Sequence, residues 1–261
     1  MFNKKNDVLV SLQGVTKKYS TANCNTYIAL NNINLEITRG ERIGIVGNNG
    51  AGKTTLLKII GGITKPSQGK VTTYAKIVSL IDLEAGFEPE LSGIENIIVN
   101  GLIIGMKKQE IKKNIQSIIN FADIGPYIYE PFYTYSAGMK FRLACALAIN
   151  SQADVLLFDE ILSSSDWGFQ QKIFKMLTKT LKNKQLTTVI CSYVPETLWS
   201  LASKFYLMQK GVIKEIQKNQ VRHLAVTHIQ QFHQTFRTRE IEKIAVGMTK
   251  SINFNTALDN K

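Results

Sequence analysis

A chain of 261 residues suits one or two domains with a core that needs no disulfides, and 44% apolar with 9% aromatic residues excludes wholesale disorder. The net charge of +12 comes from basic residues spread along the chain. That fits a solvated lysine-rich surface or attraction to anionic lipid, and no RNA-binding or helix-turn-helix pattern accompanies it, so no specific nucleic-acid partner is expected.

Met1 to Asp7 leads into strand-like sequence rather than a signal-peptide core, and no apolar stretch reaches the roughly 20 residues that span a bilayer. A cytosolic chain, or one held at the cytosolic face by a partner, is expected. Residues 7 to 40 alternate apolar and polar, as at Ile33, Leu35 and Ile37, which predicts a small antiparallel sheet. Arg42-Ile43-Gly44-Ile45-Val46 reads as a buried strand. Leu56, Leu57, Ile59 and Ile60 then recur at helical spacing until Gly61-Gly62 stops the run.

Between that strand and helix, Gly47-Asn48-Asn49-Gly50-Ala51-Gly52-Lys53-Thr54 fits the phosphate-cradling pattern G-x-x-x-x-G-K-[ST]. Its glycines let backbone N–H groups close on phosphates at the positive end of the helix dipole. Lys53 is expected to reach the β and γ phosphates and Thr54 to ligate Mg²⁺, with Thr55 adjoining the same cofactor-binding stretch. These residues imply a nucleoside triphosphate.

Residues 94 to 150 turn helical. Ile111, Ile115, Ile118 and Ile119 mark one amphipathic helix, Gly125-Pro126 and Glu130-Pro131 supply breaks, and Met139, Leu143, Ala146, Leu147 and Ile149 can line one apolar face of a later helix. Asp154-Val155-Leu156-Leu157-Phe158-Asp159-Glu160 is an apolar run ending in two carboxylates, as for a central parallel strand delivering charge at its carboxyl end. There Asp159 would hold Mg²⁺ through its water shell and Glu160 would polarise the attacking water. Phe169, Ile173, Leu177 and Leu181 are spaced to face a sheet. Alternating strands and helices give an α/β fold. Cys24, Cys145 and Cys191 are too scattered for a zinc pattern, so they are expected reduced, with Cys145 and Cys191 simply buried.

Tyr135-Ser136-Ala137-Gly138-Met139-Lys140-Phe141-Arg142-Leu143 lies between the glycine loop and the acidic strand. It resembles the ABC-transporter signature, in the Tyr-Ser-x-Gly-Met form typical of ATPases that export polysaccharides and teichoic acids. Physically, Ser136 and the Gly138 backbone begin a helix whose amino end can address the γ phosphate of a nucleotide held by a second subunit.

The resemblance covers nearly all of the first 215 residues and implies a P-loop NTPase fold of the ABC type, with an antiparallel β-subdomain, a parallel-sheet core and a helical subdomain. Residues 1–218 would form the ATPase domain, its helical part at about 94–150. The resemblance also implies that Tyr19 stacks on adenine, for which a base offers its π face. It implies that Glu88-Pro89-Glu90-Leu91-Ser92-Gly93-Ile94-Glu95-Asn96 faces a membrane partner, and that Asp166 of Ser163-Ser164-Ser165-Asp166 helps join two ATP sites. Ser165 replaces a usual glycine.

Two larger departures concern catalysis. The family's γ-phosphate-sensing histidine is replaced by Tyr193, which follows Thr187-Thr188-Val189-Ile190-Cys191-Ser192, and the three histidines lie at His223, His228 and His233. The glutamine usual before the membrane-facing segment is missing, leaving Asp82 and Glu84 as candidates for that loop. Tyr193 donates one hydrogen bond without an imidazolium's charge, so weaker γ-phosphate sensing is expected.

Beyond Lys218 the resemblance fades. Histidines five apart would fall about 140° from one another around a helix, which argues against a metal site. A surface helix carrying Val226, Ile229, Phe232 and Phe236 is expected, with a polar, disordered end from Ser251. The implied protein is an ATPase subunit, with ATP and Mg²⁺ as cofactors, that pairs with a second copy and drives a separate integral-membrane permease exporting a polysaccharide, teichoic acid or O-antigen-type glycan. No direct carbohydrate binding is expected of it. Three other readings stay open: a subunit for another cargo, a soluble ABC ATPase of translation or DNA repair, and an ATP-binding assembly module with little turnover.

Overall fold

The period-two alternation at the start of the chain becomes two 13-residue strands, β1 (Val8–Ser20) and β2 (Thr26–Thr38), in the computed structural model. That structure describes residues 7–20, 26–81, 86–159, 175, 186–192, 198, 199 and 201–221. The two strands pair antiparallel from Val8 against Thr38 to Ser20 against Thr26. Ile33, Leu35 and Ile37 are buried while Asn34 and Glu36 between them are exposed, as a one-sided sheet requires.

After β3 (Arg42–Val46), the glycine loop and α1 (Lys53–Ile60), the chain returns to this sheet. Strand β4 (Gln68–Thr73) lies antiparallel to β1, giving the order β2-β1-β4. The polar composition of residues 68–73 offers nothing to bury on both faces, so they serve an edge.

The second sheet has the order β5-β6-β7-β3-β8-β9, formed by β5 (Ile77–Leu80), β6 (Val155–Asp159), β7 (Thr187–Ser192), β8 (Lys204–Gln209) and β9 (Val212–Ile216). Its described pairings are parallel except that β9 returns antiparallel along β8. The continuous apolar runs of β3, β6 and β7 are buried on both faces, and alternation divides them between two cores. Val155, Leu157, Val189, Cys191, Ile43 and Ile45 join α1 and the small sheet on one side. Leu156, Phe158, Ile190 and Val46 face the other.

Three helices follow β5: α2 (Gly93–Ile103), α3 (Lys108–Ala122) and α4 (Ala137–Asn150). The Ser92 hydroxyl accepts from the Glu95 amide, and the Glu95 carboxylate accepts in turn from the Ser92 amide at 2.8 Å and hydroxyl at 2.6 Å. These bonds hold the Glu95 carboxyl below its ordinary value. On α3 the expected stripe holds in part, with Ile111 and Ile118 buried and Ile115 and Ile119 half-buried.

Helix α4 departs from a one-faced pattern. Phe141, Ala144, Cys145 and Ala148 pack toward the large sheet, while Leu143, Ala146 and Leu147 pack among α2, α3 and the 3-10 turns before α4. Met139 and Ile149, expected on a single apolar face, are only half-buried. A helix clamped between two cores needs small residues on both sides, and Ala144, Ala146 and Ala148 supply them. Cys145 and Cys191 are both buried, and burial pushes the Cys145 thiol up. No helix among the described residues is long and apolar enough to cross a membrane.

Candidate functional site

Residues 47–52 turn between the end of β3 and the start of α1, and steric limits explain where glycine is needed. A Cβ at Gly47 would collide with the Met208 carbonyl oxygen. Gly52, at φ 108° and at the amino end of α1, would put one against the Ala29 carbonyl and 2.9 Å from Met208 Cε. The loop is thus wedged between β2 and the end of β8. Its backbone also closes on itself, the Ala51 amide donating to Asn48 O at 3.1 Å, while the Gly211 amide donates to Ala51 O at 3.0 Å.

Lys53 begins α1 and is only 4% exposed. Its ammonium donates to the carbonyls of Gly47 at 2.8 Å and Asn48 at 3.1 Å, so the side chain folds across the inside of the loop. This positions a buried cation where the loop closes.

In front of the loop lies a cavity of about 530 Å³ lined by Tyr19, Tyr27, Ala29, Asn49, Gly50, Gly52, Lys53, Thr54, Thr55, Ile81 and Asp159. Of the sequence-derived residues, Tyr19, Asn49, Gly50, Gly52, Lys53, Thr54, Thr55 and Asp159 are therefore brought together. Gly47, Asn48 and Ala51 form the loop behind them, and Asn48 and Ala51 line an adjoining hollow of about 570 Å³. Strand pairing explains the convergence: Val46 pairs with Ser192 and Cys191 with Asp159, so β3, β7 and β6 end side by side at one carboxyl edge.

Asp159 Oδ1 is buried without a hydrogen-bond partner. An orphaned carboxylate oxygen beside an exposed Thr54 in a cavity floored by Lys53 is the donor set a hydrated divalent cation with phosphate ligands requires, so these residues fit Mg²⁺. No cluster of three or more His, Cys, Asp or Glu fit for a metal occurs among the described residues.

Ser136 lies away from this cavity, at the start of α4, where its hydroxyl accepts from the Met139 amide at 3.3 Å. A Cβ at Gly138 would meet only Ser136 Oγ at 3.9 Å, leaving the helix start open to solvent. Behind it, Tyr135 is anchored by a 2.6 Å hydrogen bond to Tyr127 O, and burial chiefly pushes its phenol up to about 12. Asn96, fully buried on α2, ties the loop before that helix by accepting from the Glu88 amide at 2.8 Å and donating to Glu88 O and Leu91 O at 2.9 and 3.0 Å.

Glu160, Asp166, Tyr193, Asp82, Glu84 and the expected helix beyond residue 221 lie outside the described residues. So do Cys24, the three histidines and the expected sheet-facing set of Phe169, Ile173, Leu177 and Leu181. Sequence reasoning passed over Tyr27, which β-pairing sets opposite Tyr19 and whose hydroxyl donates to Gly50 O at 3.1 Å. Only the register across residues 21–25 could have revealed it, and no turn motif fixes that register.

The family model for ABC transporters matches residues 30–163, about half of the chain. This chain belongs to the ABC transporter family. Among solved structures, the dimeric post-hydrolysis state of an ATP-binding cassette bound to ADP and Pi superposes with a TM-score of 0.70 at 23% identity, covering 80% of this chain and 99% of that one. The fold is therefore that of an ABC cassette.

Relatives are similar over 71% to 80% of the chain. The teichoic acids export ATP-binding protein TagH of Staphylococcus epidermidis is 34% identical over 223 residues, 80% of this ABC chain and 84% of that protein. The O-antigen export system ATP-binding protein RfbB of Myxococcus xanthus is 41% identical over 186 residues, 71% and 42% of the two chains. The ABC transporter protein AbcA of Aeromonas salmonicida is 40% identical over 192 residues, 74% and 62%. This chain thus spans less than two thirds of the length of RfbB and AbcA.

Proposed function

We propose that this chain is the ATP-binding and ATP-hydrolysing subunit of an ABC exporter, working as a pair of identical subunits around two ATP molecules to drive a separate permease. The observation that carries the reading is the cavity itself: a glycine cradle with no room for side chains at Gly47 and Gly52, a buried Lys53 ammonium and the unpartnered Asp159 oxygen converge on one space. That space suits a polyphosphate with a divalent cation, and Tyr19 at its rim suits a base.

In this reading Lys53, the loop amides and the amino end of α1 stabilise charge on the β and γ phosphates. Mg²⁺, when bound, neutralises phosphate charge, with Thr54 and Asp159 as the residues that would hold it. Glu160, next after Asp159, takes a proton from water as its oxygen bonds to the γ phosphorus. The bond from that phosphorus to the β–γ bridging oxygen breaks, leaving ADP and phosphate. Ser136 and Gly138 lie open at the start of α4, available to a nucleotide held by a second copy. Asp166 links the two sites.

The exported class follows from relatives named for O-antigen and teichoic acid export. A polysaccharide, teichoic acid or related glycan is accordingly the proposed cargo, passed by the permease and not bound by this chain, which would sit at the cytoplasmic face of the membrane. A second reading, a module that holds ATP with little turnover, is favoured by one feature. Tyr193 follows Ser192 in the sequence, and in this reading it takes the position where the family carries a histidine.

The test is Glu160→Gln. Losing the base should leave ATP bound, accumulate a dimer on size-exclusion chromatography in Mg-ATP, and lower hydrolysis by about 10² to 10⁴. A variant that stays monomeric while wild type hydrolyses freely would contradict the proposal, and wild type that dimerises with ATP without hydrolysing it would favour the second reading.

A further inference from the structure

We infer that Tyr27 is a positioning residue of the nucleotide site, holding the crown of the phosphate loop through its hydroxyl while its ring walls the base end beside Tyr19. The inference rests on the nucleotide reading above. Tyr27 is 51% exposed, yet it lines both the 530 Å³ cavity and the adjoining 570 Å³ hollow, and its hydroxyl donates to Gly50 O at 3.1 Å. Across the strand pair it faces Tyr19, whose ring carries the Lys17 ammonium 5.0 Å from its centroid.

Gly50 is where such a tether matters. At φ 77°, with nothing within 4 Å of where a Cβ would sit, it is the least constrained of the loop's glycines by sterics. A peptide there can present either its carbonyl or its amide edge to an anion, and a carbonyl turned inward repels phosphate. The Tyr27 hydroxyl draws the Gly50 carbonyl toward the start of β2, while the Gly211 amide holds the Ala51 carbonyl from the β8–β9 turn. The loop is thereby preset with two consecutive carbonyls engaged by the scaffold. The same side chain links the base end of the cavity to the phosphate end, so occupancy of one favours order in the other.

Competition against a fluorescent ATP analogue separates the two roles, using Mg-ATP and Mg-tripolyphosphate, which has no base, on wild type, Tyr27→Phe and Tyr27→Leu. Loss of one neutral hydrogen bond is expected to weaken both probes alike in Tyr27→Phe, by about 3- to 10-fold, at an unchanged thermal midpoint. Tyr27→Leu also removes the ring, so it should weaken ATP further than it weakens tripolyphosphate.

Tyr27→Phe that matches wild type for both probes, or that weakens ATP alone, overturns the inference. So does an affinity loss that merely tracks a fall in thermal midpoint, or wild type that holds ATP but not tripolyphosphate. Wild type that binds neither probe overturns the nucleotide reading and this inference with it.

Discussion

Gly52 carries more of the site than its size suggests. Its left-handed backbone lets the chain pass from the loop into α1, and its missing side chain lets the loop lie against Ala29 and Met208. Gly52→Ala is expected to cost about 1 to 3 kcal/mol of stability from backbone strain alone, with nucleotide affinity falling in parallel, as denaturant unfolding and ATP titration would measure. An alanine variant of native stability and affinity would mean that the loop relaxes easily. Tyr193 is the other residue on which the proposed chemistry turns. If it stands where a histidine senses the γ phosphate, Tyr193→His should raise steady-state turnover by about 10², because a stronger donor meets the developing charge. A histidine variant no faster than wild type, with Tyr193→Ala equally active, would remove Tyr193 from the site.

Between elements, Asp154 ties three segments together just before β6. Its carboxylate accepts from the Lys76 amide ahead of β5 at 3.0 Å and pairs with Arg39 in the β2–β3 turn at 2.8 Å. The Lys76 hydrogen bond chiefly, then Arg39, holds this carboxyl below its ordinary value near 3.8. A carboxyl depressed in the folded state stabilises at pH values above its unfolded value, and that contribution is lost as pH falls through the folded value. Asp154→Asn should therefore cost about 0.5 to 1 kcal/mol at neutral pH, the side chain being one-third exposed, and the gap from wild type should narrow as pH falls below about 3.8 and through the folded value. Urea unfolding at pH 7 and pH 3 checks it, and a gap that persists in acid would mean that packing, not charge, is lost.

The same elements show what the sequence made legible. Residues 42–46 had the boundaries of β3 because an apolar run buried on both faces leaves few alternatives. The Gly61-Gly62 stop matched the end of α1, Gly62 taking φ 72° beyond the last turn. Phosphate-loop residues were legible because their spacing is local. What escaped depends on long-range pairing: β4 crossing to the small sheet, α4 buried on two sides, and Tyr27 meeting Gly50 across 23 residues. Buried amides such as Asn96 were also missed, since a loop keystone has no periodic signature.

At the scale of the molecule, the two sheets and the helical lobe of the described residues share one chain of packing. The cores on either side of the large sheet both draw on β3, β6 and β7, and α4 joins the second of them to the helical lobe. The start of α4 lies apart from the nucleotide cavity, and in the proposed reading a second copy brings the two together. Everything proposed for export depends on that cavity taking ATP. Titrating fluorescent ATP with Mg²⁺ into wild type and Lys53→Ala tests this most directly. A charged donor to phosphate is worth about 1.5 to 3 kcal/mol, so saturable binding by wild type, weakened about 10-fold or more in the variant, is the expected result. Equal affinities, or no binding by wild type, would contradict the account.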